Sequence, residues 1–146
     1  MCGIAGLIHK GKTVNIGKEL ENMLQALKHR GPDSTGFALY GEGYDNNYIM
    51  RFKVGENVKE GSKAVNEDKS VYDARKKLVD ICLKEQGADV IKEERITPYS
   101  FKYIMSYDED LMEFSKSVES IEMVEILSIG KNLELVKDIG DAGVVS

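Results

Sequence analysis

From Val71 to Gln86 the chain reads VYDARKKLVDICLKEQ. Val71, Ala74, Leu78, Ile81 and Cys82 fall along one stripe of a 3.6-residue helix, and Gly87 behind them is a stop signal. On the N-terminal side, residues 55–69 are polar and glycine-containing, which predicts a loop, and residues 48–54 alternate in a strand-like way. On the C-terminal side, residues 88–96 read as a strand, Thr97-Pro98 as a turn and residues 100–107 as a second strand. Asp108 is placed to cap a further helix in which Leu111, Phe114 and Val118 share a face. Residues 123–129 and 133–139 then read as two strands joined by Gly130-Lys131-Asn132.

Residues 48–129 therefore spell strand, helix, strand, strand, helix, strand. That is the ferredoxin-like β-α-β-β-α-β order, which predicts two helices on one face of an antiparallel four-stranded sheet. Leu78 and Phe114 are expected to face that sheet, and Lys76, Lys77 and Lys116 to face water.

Ahead of this stretch, residues 3–9 read as a buried strand closed by Lys10-Gly11-Lys12. A helix follows, with Asn15 as its cap and Leu20, Met23, Leu24 and Leu27 on one face. His29-Arg30-Gly31-Pro32-Asp33-Ser34 ends it, because Gly31 and Pro32 do not continue a helix. A strand over residues 35–40 comes next and runs into Gly41-Glu42-Gly43, which is better read as a turn than as a phosphate cradle.

The 146 residues suit one ordinary domain or two very small ones. With 42% hydrophobic residues, 31% charged and only 2 prolines, most of the chain is expected to fold. A net charge of −5 offers no basic surface for nucleic acid or anionic lipid. No apolar run approaches the roughly 20 residues that span a bilayer, and the charge order at the start is not that of a signal peptide. A cytoplasmic location follows as the expectation, and with it free thiols at Cys2 and Cys82. His9 and His29 have no ligand spacing with either cysteine, so neither a metal nor a cofactor is implied. Asp108-Glu109-Asp110 sits at a helix start, where negative charge suits the dipole without a metal.

Cys2 is the residue with chemistry to offer. Once Met1 is removed, Cys2 carries a free α-amino group with a reference pKa of about 7.7–8.0. That amine can take the thiol proton and later give a proton to departing ammonia, so one residue serves as nucleophile, base and acid. A bare Met-Cys is more often just a small residue near a strand start. The surrounding pattern favours the chemical reading.

Met1-Cys2-Gly3-Ile4-Ala5-Gly6, a helix, and then His29-Arg30-Gly31-Pro32-Asp33-Ser34-Thr35-Gly36 resemble the start of class II glutamine amidotransferases, the N-terminal-nucleophile family. The resemblance covers residues 1–40 and implies an α+β fold in which two antiparallel sheets are sandwiched between helices. It implies that Cys2 forms a thioester with the glutamine side-chain carbonyl. It further implies that Arg30, Gly31, Asp33 and Ser34 form a loop that supports the nucleophile; for Arg30 and Asp33, a structural brace and direct substrate contact read equally well. Lys137-Asp138-Ile139-Gly140-Asp141-Ala142 is similar to a stretch in an archaeal, glutamate-synthase-associated branch of the family.

On that comparison, residues 1–47 and 130–146 are amidotransferase domain and residues 48–129 are an inserted ferredoxin-like module. The family's Gly-His-Thr-Arg segment, its Asn-Gly oxyanion pair and its amine-binding Asp find no match. The chain is thus expected to be an N-terminal portion that needs the remainder of the amidotransferase domain. Its expected function is glutamine hydrolysis that supplies ammonia to a synthase subunit or domain. The alternative is a non-catalytic ferredoxin-like module that binds a regulatory small molecule, or a docking subunit.

Overall fold

The computed structural model describes residues 3–11, 15–30, 34–56, 68–140 and 142–145. The chain is α+β, with antiparallel pairing in its larger sheet. It divides into two compact units, Met1–Gly36 with Lys137–Ser146, and Phe37–Val136.

In the first unit α1 spans Ile16–Ala26. Asn15 Oδ1 accepts a hydrogen bond from Lys18 N at 3.1 Å, the expected cap. Leu20, Leu24 and Leu27 are half-buried while Met23 is exposed. A short 3-10 turn, Lys28–Arg30, follows. The buried strand expected over residues 3–9 is absent. Ile4 and Ile8 are 93% and 92% exposed, and the segment has no regular structure. A strand needs a ladder partner, and β1 (Ser34–Tyr40) pairs instead with β6 (Leu133–Ile139) in a two-stranded sheet. Residues 142–145 form the one-turn α4, in which Ala142 is buried.

The second unit contains β2 (Tyr48–Lys53), α2 (Lys69–Glu85), β3 (Asp89–Arg95), β4 (Ser100–Ser106), α3 (Leu111–Glu119) and β5 (Glu125–Gly130). Their sheet has the order β3-β4-β2-β5, with every neighbour antiparallel. The alternation of strand side chains sends Met50 and Phe52 to one face, with Phe101, Tyr103 and Met105 beside them. α2 adds Tyr72, Val79 and Leu83 to that core, and α3 adds Phe114 and Val118. Phe52 stacks on Phe101 at 5.3 Å and meets Tyr103 edge-on at 5.0 Å. Each such side chain contributes about 1.5–3 kcal/mol by leaving water.

α2 stops where Gly87 takes φ +77°, a left-handed conformation that suits glycine. Ala88 N donates to Leu83 O and Gly87 N to Lys84 O, the paired bonds of a Schellman ending. Its rotation differs from the expectation. Leu78 and Ile81 are 52% and 54% exposed, and Tyr72, Val79 and Leu83 form the buried stripe. The polar partners explain the turn of the helix. Lys76 is drawn in to Asp80 at 2.9 Å and Glu93 at 2.7 Å, and the Tyr103 hydroxyl donates to Asp80 at 2.7 Å. Lys76 therefore does not face water, whereas Lys77 and Lys116 are exposed and Phe114 is buried as expected. The cap of α3 is Asp110 rather than Asp108, because Asp110 Oδ1 is the acceptor for Met112 N and Glu113 N.

The other face of the sheet buries the paired Ile49 and Ile104 and is otherwise bridged by charged side chains. Glu134 accepts from Arg51 Nε at 2.7 Å and from Lys102 Nζ at 2.9 Å. The nearly buried Lys53 pairs with Glu125 at 3.1 Å. β3, an edge strand, protects its free backbone with Lys92, Glu93, Glu94 and Arg95 and with a register shift between Val90 and Lys92.

Candidate functional site

Ser34 opens β1 as an exposed residue, and Arg30 ends the 3-10 turn before it. Cys2, Gly31 and Asp33, and the side chain of Arg30, lie outside the described residues. The geometry around the motif is carried by its neighbours. Thr35 Oγ1 donates to Gly140 O at 2.8 Å across 105 residues. Gly140 has φ +130°, a conformation L side chains rarely adopt, so a glycine is what lets β6 end there. One residue earlier, Asp138 Oδ1 accepts from Ile139 N at 2.7 Å. The end of the His29–Gly36 motif and the Lys137–Ala142 stretch are thus joined by a specific bond. A contact over that separation leaves no local pattern in the sequence. His9 Nε2 meets Glu19 at 2.8 Å on the same unit.

Cys82, on α2, is a free cysteine and half-buried. Burial, with Glu85 nearby, pushes its thiol above the ordinary range and keeps it protonated at neutral pH. That makes it a poor nucleophile.

In the second unit a pocket of about 200 Å³ opens where α2 ends and β4 leads into α3. Gln86, Gly87, Ser106, Tyr107, Asp108 and Glu109 line it. Burial, then Glu109 and Asp110, raise the Tyr107 hydroxyl, so it remains a neutral donor. Among the described residues, no three His, Cys, Asp or Glu side chains stand together to hold a metal ion. Nor is any described helix long and apolar enough to cross a membrane.

Architecture and local geometry thus define an α+β chain in which a compact sheet-and-helix unit interrupts a segment bearing an N-terminal cysteine motif. Comparison with known proteins finds similar chains. The chain is 31% identical over 144 residues to a protein of Methanothermobacter thermautotrophicus provisionally named a glutamine amidotransferase. That match covers 96% of this chain and 44% of the relative, so the chain spans less than half of that protein's length. It is also 52% identical over 40 residues to a protein of Methanocaldococcus jannaschii provisionally named a glutamine-hydrolysing asparagine synthetase, covering 27% of this chain and 8% of that one. No family model matches the chain. Among solved structures, the complex of the chemotaxis kinase CheA P2 domain with the response regulator CheY from Thermotoga maritima matches 64% of this chain and 96% of the other. Its TM-score is 0.41 at 18% identity, too slight a likeness to decide anything.

Proposed function

We propose that the chain is the N-terminal portion of a class II glutamine amidotransferase of the glutamate-synthase-associated archaeal type, with Cys2 as its nucleophile. The observation that carries this reading is the match along 96% of the chain to a protein named for that activity. The two motifs at residues 1–6 and 29–36 support it. On this reading residues 1–47 and 130–146 belong to an N-terminal-nucleophile hydrolase domain. Residues 48–129 are a ferredoxin-like insertion, a reading supported by the element order and the β3-β4-β2-β5 sheet.

The chemistry proceeds in two halves. The α-amine of Cys2, freed of Met1, accepts the thiol proton, and Sγ attacks the glutamine side-chain carbonyl carbon to form a C–S bond. The C–N bond then breaks, and ammonia leaves with the proton returned by the α-ammonium. Water hydrolyses the thioester to glutamate and the free thiol. The ammonia passes to a synthase partner, in line with the name of the asparagine synthetase relative. Arg30, with its fork of donors, and Asp33, an acceptor, are suited to holding the nucleophile's segment together with Gly31 and Ser34.

The test is ammonia release from glutamine by the protein in its native assembly. Cys2→Ala is expected to lower the rate at least a thousandfold, and Cys82→Ala to leave it within twofold. Equal activity in Cys2→Ala and wild type contradicts the assignment.

A further inference from the structure

We infer that the pocket where α2 ends and β4 leads into α3 is a binding site for a small organic ammonium ion. Strand alternation sends Phe101, Tyr103 and Met105 to the face that the helices cover, and Tyr107, two residues on, joins them in the core. The Tyr107 ring packs on Phe114 of α3 at 4.7 Å, and the residue is only 6% exposed. Among the described residues its hydroxyl has no hydrogen-bond partner, and no side-chain polar atom there is both fully buried and unpaired. The hydroxyl therefore keeps its opening on the pocket that Tyr107 lines.

Charge decides what fits beside it. In the same unit Asp73, Asp80, Glu93, Glu125 and Glu134 each pair with a lysine or arginine. Asp108 and Glu109, on the pocket wall, are exposed and among the described residues pair with none. The 17-residue α2 also ends at this wall, at Gln86 and Gly87, and a helix C-terminus favours positive charge. An ammonium group donates three hydrogen bonds, which the carboxylates, the neutral Tyr107 oxygen and the Ser106 hydroxyl can accept. An anion would meet two carboxylates. At about 200 Å³ the pocket is smaller than sites for drug-sized ligands, which suits a short amine. The site is independent of the Cys2 reading and stands or falls without it.

The experiment follows backbone amide shifts of the full chain by NMR during titration with diaminobutane. Butanediol, of the same length without charge, and sodium chloride at matched ionic strength are the controls. Diaminobutane is expected to shift the amides of Gln86, Gly87 and Ser106 to Glu109 saturably, and neither control to do so. Asp108→Asn with Glu109→Gln should weaken binding at least tenfold, and Tyr107→Phe about threefold. Tyr107→Phe keeps the ring against Phe114 and so tests the site even if the double variant fails to fold. Shifts that butanediol or salt reproduces overturn the inference. So do shifts spread over the acidic surface without saturation, or wild-type affinity in either variant.

Discussion

The two units of the chain hold themselves together in different ways. Among the described residues, every fully buried large side chain, from Tyr103 and Phe52 to Val118, belongs to the Phe37–Val136 unit. In the other, α1 has no buried residue among its eleven, and Ile4 and Ile8 stand in solvent. Three helical leucines sample the contrast. Leu83 is fully buried, Leu24 in α1 is half-buried and Leu78 is 52% exposed. Among the described residues the tightest packing therefore lies in the sheet-and-helix unit, while the motif that suggests chemistry belongs to the other unit.

Truncations sharpen that contrast most. Leu83→Ala should cost about 2–5 kcal/mol, since a fully buried leucine leaves both lost transfer energy and a cavity. The same change at Leu24 should cost about 1 kcal/mol or less, because water already reaches part of the side chain. Denaturant titrations of the two variants measure the difference. Equal losses would mean that the first unit is packed as tightly as the second.

A smaller effect lies in the buried tyrosine of the same core. Burial, and then the bond to Asp80, hold the Tyr103 hydroxyl well above its ordinary range. The sign follows from linkage. The folded state keeps the proton, so this contribution is complete below about pH 10 and is lost as pH rises and unfolded chains release theirs. Wild type should lose stability between pH 9 and 11. Tyr103→Phe, less stable by about 1.5–3 kcal/mol at pH 8 for want of a bond to a charged acceptor, should lose less over that interval. Parallel slopes in the two proteins would place the alkaline sensitivity elsewhere.

Leu78→Ala marks the small end of the series. An exposed position away from caps and bridges should change stability by no more than about 0.5 kcal/mol. A loss beyond 2 kcal/mol would restore Leu78 to the core.

These same leucines show what was legible in the sequence and what was not. Phe114 and Val118 were readable because α3 has one apolar stripe and buries it. α2 carries two candidate stripes, and apolar spacing favoured the one with Leu78 and Ile81. The winning stripe contains Tyr72 and is set by Lys76, Asp80, Glu93 and Tyr103, partners on three elements that no single helix reveals. Residues 3–9 were misread for a related reason. A short apolar run shows a liking for strand but says nothing about whether a ladder partner exists. At the candidate site, the cysteine and the residue 29–36 motif were legible because they are local in sequence. The Thr35–Gly140 bond spans 105 residues and was not.

The central claim is that Cys2 is the nucleophile, and one measurement meets it directly. The protein in its native assembly, with Met1 confirmed absent by intact mass, is treated with a glutamine-analogue electrophile and digested for peptide mass spectrometry. The account predicts one adduct on Cys2, suppressed by excess glutamine, with Cys82 unmodified in keeping with its raised pKa. An adduct on Cys82 with Cys2 untouched would contradict it.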